Sequence, residues 1–174
     1  MITKKNKVFI LDINWIAGQS LGTSRGTDFN FPSLHFDPNL TLQNFVGKVT
    51  TTVIEDGVVL RGTLTAKTEL RCTRCLEVFS RPVEISFDEV YSLSRTKEEV
   101  GIEERPFPPD GRIDLEPIFR EYALLDIPIK HVCSKDCKGL CPICGANRNK
   151  EDCDHSQERI DPRMAKLKQL LDKD

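Results

Sequence analysis

The chain has no long apolar run: no stretch approaches the ~18 consecutive apolar residues that a membrane-spanning helix requires. It also has no surplus of one charge. With 25 Lys and Arg against 27 Asp and Glu the formal net charge is −2, so a nucleic-acid surface would have to be a local patch. Histidine is scarce, at 3 residues, and no phosphate-cradling Gly-Lys motif occurs, which leaves little from which to build an active site. Gly22-Thr23-Ser24-Arg25-Gly26 does match G-x-S-x-G. That motif works on a sharp strand-to-helix turn with Asp and His partners; no helical pattern follows here, so it reads as a chance match in a flexible loop. Lys4, Lys5 and Lys7 imitate the start of a signal peptide, but Asp12 interrupts the apolar stretch and no small-residue cleavage site follows. A soluble, cytoplasmic protein is expected.

Cysteine, by contrast, is plentiful and clustered. Seven residues would leave one unpaired in a disulfide framework, whereas short paired spacings in a reducing compartment point to metal. Cys133, Cys137, Cys141, Cys144, Cys153 and His155 lie close together, and Cys72 and Cys75 form a Cys-x-x-Cys far upstream. Eight donors make two tetrahedral zinc sets. In Cys141-Pro142-Ile143-Cys144-Gly145 the proline stiffens the knuckle and the glycine allows a positive φ as the chain turns away. Cys141, Cys144, Cys153 and His155 are near enough to close one site alone. Cys72 and Cys75 then need the next available pair, Cys133 and Cys137. A single ribbon of Cys72, Cys75, Cys141 and Cys144, or the local knuckle alone, remains open. So does a thiol redox role for Cys72 and Cys75, although no thioredoxin-like context surrounds them. His35 and His131 read as ordinary histidines.

The rest of the chain reads as a sheet with helices. Residues 7–13 look like a first strand and the Gly-rich segment after them like a loop. Asn44–Ile54 and Val58–Cys72 form a hairpin about Glu55-Asp56-Gly57, and the second arm alternates Val58, Leu60, Gly62, Leu64, Ala66 and Leu70 with Arg61, Thr63, Thr65, Lys67 and Glu69. That is the period of a half-buried strand. Alternation resumes at Val83, Ile85 and Phe87. Residues 92–111 read as a mobile acidic loop. Asp114 then caps a helix with Pro117 in its first turn and Leu115, Ile118, Tyr122 and Leu125 on one face. Asp161 caps a second helix bearing Met164, Leu167 and Leu171. The expected class is α+β: a curved antiparallel sheet, a meander or partly closed barrel, with a covering helix over residues 1–126 and a zinc-stapled segment with a terminal helix over 127–174.

The set ELRCTRCLEVF, IDLEPIFREYALLDIPIK, HVCSKDCKGLCPICGANRN, a closing Cys-x-His and DPRMAKLKQL resembles the YceD family, the large ribosomal RNA subunit accumulation proteins. The resemblance covers most of residues 40–174, with the first forty residues matching only loosely. It implies a non-catalytic factor supporting accumulation of large-subunit (23S) ribosomal RNA by binding that RNA or a precursor particle. An adaptor docking a ribosomal protein or assembly factor is the alternative. Many relatives close with Cys-x-Cys, where this chain has Cys153-Asp154-His155. Under this reading Arg71, Arg74, Lys130, Lys135, Lys138, Arg148 and Lys150 would contact phosphates.

Overall fold

The computed structural model describes residues 9–93 and 104–155. Among these residues seven strands and one α-helix follow one another, with a short 3-10 turn at Asn14–Ile16 after the first strand: β1 Ile10–Asp12, β2 Ser24–Phe36, β3 Leu40–Ile54, β4 Gly57–Arg71, β5 Val78–Ser92, β6 Glu104–Pro106, β7 Arg112–Asp114 and α1 Glu116–Asp126. The main sheet runs β2-β3-β4-β5-β6, and β1 pairs with β7 in a separate two-stranded sheet. Neighbours are antiparallel except β5 and β6, which are parallel. The order is that of an open meander with an added edge strand, not of a closed barrel. No helix among the described residues is long and apolar enough to cross a membrane.

Alternation in β4 emerges as expected: Val58, Leu60, Gly62, Leu64 and Ala66 are buried while Arg61, Thr63, Thr65 and Lys67 are exposed. Gly62 lies opposite Phe87 of β5. A Cβ there would collide with the Phe87 ring, so the missing side chain makes room for an aromatic one. Strand β3 changes phase partway. Its register to β4 slips between Gln43 and Val46, where Asn44 has φ 51°. One extra residue moves burial from Leu40 and Leu42 to Phe45, Val49 and Val53, the effect of a β-bulge.

Helix α1 has Leu115 and not Asp114 at its N-cap; Asp114, one residue earlier, accepts the Glu116 amide on its carboxylate at 3.1 Å. The buried face is Leu115, Ile118, Phe119 and Ala123. Phe119 lies on that face although the spacing does not point to it, and Leu125, expected there, is 73% exposed. The Phe119 ring lies 5.7, 5.4, 5.3 and 6.1 Å from those of Phe9, Phe29, Phe45 and Phe87. These distances suit edge and tilted aromatic contacts.

Three further segments differ from their expected form. The Gly-rich loop ends early, because Ser24–Phe36 forms β2, paired with β3 from Ser24 opposite Thr52 to Phe36 opposite Leu40. Ser24 therefore lies in a ladder and not on a nucleophile turn. Of the acidic loop, residues 94–103 lie outside the described residues, but Glu104–Pro106 forms β6. Arg105 there donates to the buried Glu89 at 2.7 and 3.1 Å and to Glu121 at 3.3 Å, while the Tyr122 hydroxyl donates to Glu89 at 3.2 Å. A buried carboxylate is tolerated because charged and neutral donors surround it. The first strand is described from Ile10, and the expected helix after Asp161 lies outside the described residues.

The described residues fall into two compact units, one from 9–71 and 78–131, the other from 72–77 and 132–155. The core named above belongs to the first.

Candidate metal centres

The two Cys-x-x-Cys knuckles share one backbone frame despite different sequences. Leu76 N–H donates to the Cys72 carbonyl at 3.0 Å and Cys72 N–H to the Glu77 carbonyl at 2.8 Å; Gly145 N–H donates to the Cys141 carbonyl at 2.9 Å and Cys141 N–H to the Ala146 carbonyl at 2.8 Å. The residue after the second cysteine has positive φ in both, 75° at Gly145 and 61° at Leu76. The glycine does what its position suggested. Leu76 adopts the same conformation with a Cβ, at a cost of about 1–2 kcal/mol.

The knuckle at Cys72 and Cys75 faces Cys133 and Cys137, all four sulfurs lying within 4.8 Å of one another. Cys72 Sγ to Cys137 Sγ is 3.8 Å, and Cys75 Sγ to Cys133 Sγ is 3.7 Å. Zinc–thiolate bonds of about 2.3 Å in a tetrahedron place neighbouring sulfurs about 3.8 Å apart. The donor set therefore fits a four-coordinate ion. Cys72, Cys75 and Cys137 are buried and Cys133 is exposed.

Around this site the chain supplies donors to sulfur. Amides of Arg74 and Cys133 each donate to Cys72 Sγ at 3.4 Å, and Asn149 Nδ2 donates to Cys137 Sγ at 3.4 Å. Asn149 Oδ1 in turn accepts the Lys138 amide at 2.8 Å, and Asn147 Oδ1 accepts from Asn149 Nδ2 at 2.8 Å. Such outer contacts hold ligands in place. Nothing in the spacing of the cysteines marks Asn149; only the fold brings it to the metal loop.

The second site gathers Cys141, Cys144, Cys153 and His155, again with donor atoms within 4.8 Å. Cys141 is buried, Cys153 half-buried, and Cys144 and His155 exposed. The loop between the pairs is tied by Leu140 bridging to Asn147 and by Arg148 N–H donating to the Gly139 carbonyl at 3.0 Å. His131, whose Nδ1 meets the Pro128 carbonyl at 3.3 Å, belongs to neither group.

Each cluster sets its thiols against one another. Burial disfavours the Cys72 thiolate, but amides of Cys75, Cys133 and Arg74 outweigh it and lower the thiol to about 6. Hydrogen bonding to Cys137, burial and the neighbouring sulfurs push Cys133 up to about 12. In the second site amides of Cys144 and Ile143 lower Cys141 to about 6, and Cys141 raises Cys153. Thiolates crowded this closely oppose further ionisation until a cation neutralises them. Both clusters can hold metal ions.

The basic residues are less uniform than their charges suggest. Arg71 and Lys130 are exposed in the first unit, and the other five belong to the second. Arg74 Nη1 donates to the carbonyls of Cys137 at 3.0 Å and Lys135 at 3.4 Å. Lys150 forms an ion pair with Glu77. These two brace the metal loop. Lys135 and Lys138 are exposed and Arg148 is half-buried.

Residues 60–171 match the family model described as large ribosomal RNA subunit accumulation protein YceD. An uncharacterized protein of Mycobacterium tuberculosis is 37% identical over 120 residues, 68% of this chain and 58% of its own length. The uncharacterized protein YlbN of Bacillus subtilis is 31% identical over 113 residues, 64% of this chain and 65% of its own. The large ribosomal RNA subunit accumulation protein YCED homolog 1, chloroplastic, of Arabidopsis thaliana is 43% identical over 56 residues, 32% of this chain and 17% of its own. The chain thus spans less than two thirds of the length of each of these relatives. No solved structure matches it.

Proposed function

The chain belongs to the YceD family, the large ribosomal RNA subunit accumulation proteins, and from that membership we propose that it is a non-catalytic ribosome biogenesis factor. It supports accumulation of large-subunit ribosomal RNA by binding that RNA or its precursor particle through a zinc-stapled module. The observation that carries this reading is the closure of both donor sets by four protein ligands. Four filled positions suit a structural ion and leave no place for a reacting water. Zinc is the ion favoured by tetrahedral thiolate and imidazole donors, whereas calcium and magnesium prefer oxygen.

Lys135, Lys138 and Arg148 are the phosphate contacts this reading favours in the second unit, with Arg74 and Lys150 holding the loop that presents them. A redox role for Cys72 and Cys75 fits less well. Thiol exchange requires access, and the two residues are 0% and 4% exposed. The adaptor reading draws support from Leu76 and Ile143, which are 52% and 55% exposed on the two knuckles.

The test is crosslinking and sequencing of bound RNA in cells, joined to sedimentation profiles after depletion. Crosslinks to large-subunit ribosomal RNA with loss of the large subunit support binding. A subunit defect without RNA crosslinks supports the adaptor, and no defect with no crosslinks overturns both.

A further inference from the structure

The first unit contains a cavity of about 470 Å³ between the second half of α1 and the ends of β3 and β4. Its wall is aliphatic at Leu40, Leu70, Leu124 and Ile127, and Arg120 and Glu69 also line it. The size falls within the range of small-molecule sites, and the lining mixes these aliphatic side chains with polar ones, Asn39, Gln43 and Thr68 among them. No aromatic side chain is among the lining residues. The cavity therefore offers no stacking surface for a nucleobase, which separates it from the RNA-binding role proposed above.

Arg120 gives the cavity its chemistry. Its Nε is buried without an acceptor. Among the described residues no carboxylate forms an ion pair with it: Glu121 pairs with Arg105, and Asp126 with Arg81. Arg81 Nη1 is also buried without an acceptor, and Arg81 stands opposite Thr68, itself a lining residue, in the β4–β5 ladder. The Thr68 hydroxyl donates to the Thr41 carbonyl at 3.0 Å and accepts from neither group. Arg120 is the cation of the lining and has no carboxylate paired with it among the described residues, so an anion in the cavity is what would answer its charge. The Glu69 carboxylate on the same wall opposes a second negative charge.

We propose that this cavity binds an aliphatic monocarboxylate, its carboxylate on Arg120 and its chain among Leu40, Leu70, Leu124 and Ile127. One charge answers the arginine without meeting Glu69, and a flexible saturated body fits walls that lack aromatic rings.

The test is a methyl-detected NMR titration of the full metal-loaded chain with octanoate, with octanol and octylammonium as controls. Octanoate should shift the Leu40, Leu124 and Ile127 methyls saturably, octanol at least tenfold more weakly, and octylammonium not at all. Arg120→Met keeps the aliphatic stem and should weaken octanoate at least tenfold. Leu124→Trp, at a position already 43% exposed, should fill the cavity and abolish binding without disturbing the core. Equal binding of octanoate and octanol, unchanged affinity in either variant, or no saturable shift would each overturn the proposal.

Discussion

The two units solve the problem of cohesion with different atoms. In the sheet unit the core is carbon: Phe119 meets four other rings, and Leu60, Leu64, Val83 and Ile85 are at most 1% exposed. In the second unit the only buried side chains among the described residues are Cys72, Cys75, Cys137 and Cys141. The described residues of this unit thus bury little apolar area to offset the entropy of ordering their chain. On the proposed metal loading, metal–ligand bonds would take the place of a core there, with the peripheral Asn, Arg and Lys contacts orienting the ligands.

Removing the metal should separate the units most sharply. Chelation is expected to abolish amide protection across 72–77 and 132–155 while β3, β4 and β5 stay protected, as read by hydrogen exchange. Equal loss in both units would show that the carbon core depends on the ions. The reverse experiment is Phe119→Ala, which should destabilise the sheet unit by about 3–5 kcal/mol, typical of a fully buried ring. Denaturant titration checks the size, and metal content in native buffer should stay unchanged.

Sequence spacing explains why one half of this comparison was legible beforehand. Cysteine grouping follows from local reach: Cys141, Cys144, Cys153 and His155 can close one site unaided, and the remaining two pairs meet across a sequence separation of 65 residues for Cys72 and Cys137. The long arms of β4 and β5 were equally plain, since alternation survives wherever one face is buried. Strand β2 was obscured because Gly26 and Asp28 have loop composition, yet pairing along β3 outweighs propensity at a sheet edge. The phase change at Asn44 and the turn of α1 onto Phe119 are set by partners distant in sequence. Arg74, Asn149 and Lys150 were hidden for the same reason, their roles being defined by carbonyls, sulfur and a carboxylate that only the fold brings near.

Smaller effects sharpen the account of the second unit. Asn149→Ala removes the donor to Cys137 Sγ and the acceptor for the Lys138 amide. Loss of such an outer contact is expected to weaken the first site about 10–100-fold, measurable by competition with a chromophoric chelator, while the second site keeps its affinity. Leu76→Gly should do the opposite on a smaller scale. Relief of the positive φ is offset by a more flexible unfolded chain, leaving a gain below about 1 kcal/mol. Thermal melting of the metal-loaded protein would read it as a small rise.

The most direct measurement is native mass spectrometry of the full chain purified without chelator, beside Cys137→Ser and Cys153→Ser. Two sulfur-centred cores require two zinc ions in the parent protein and one in each variant. One zinc in the parent, or loss of both ions from either single variant, would contradict two independently closed centres.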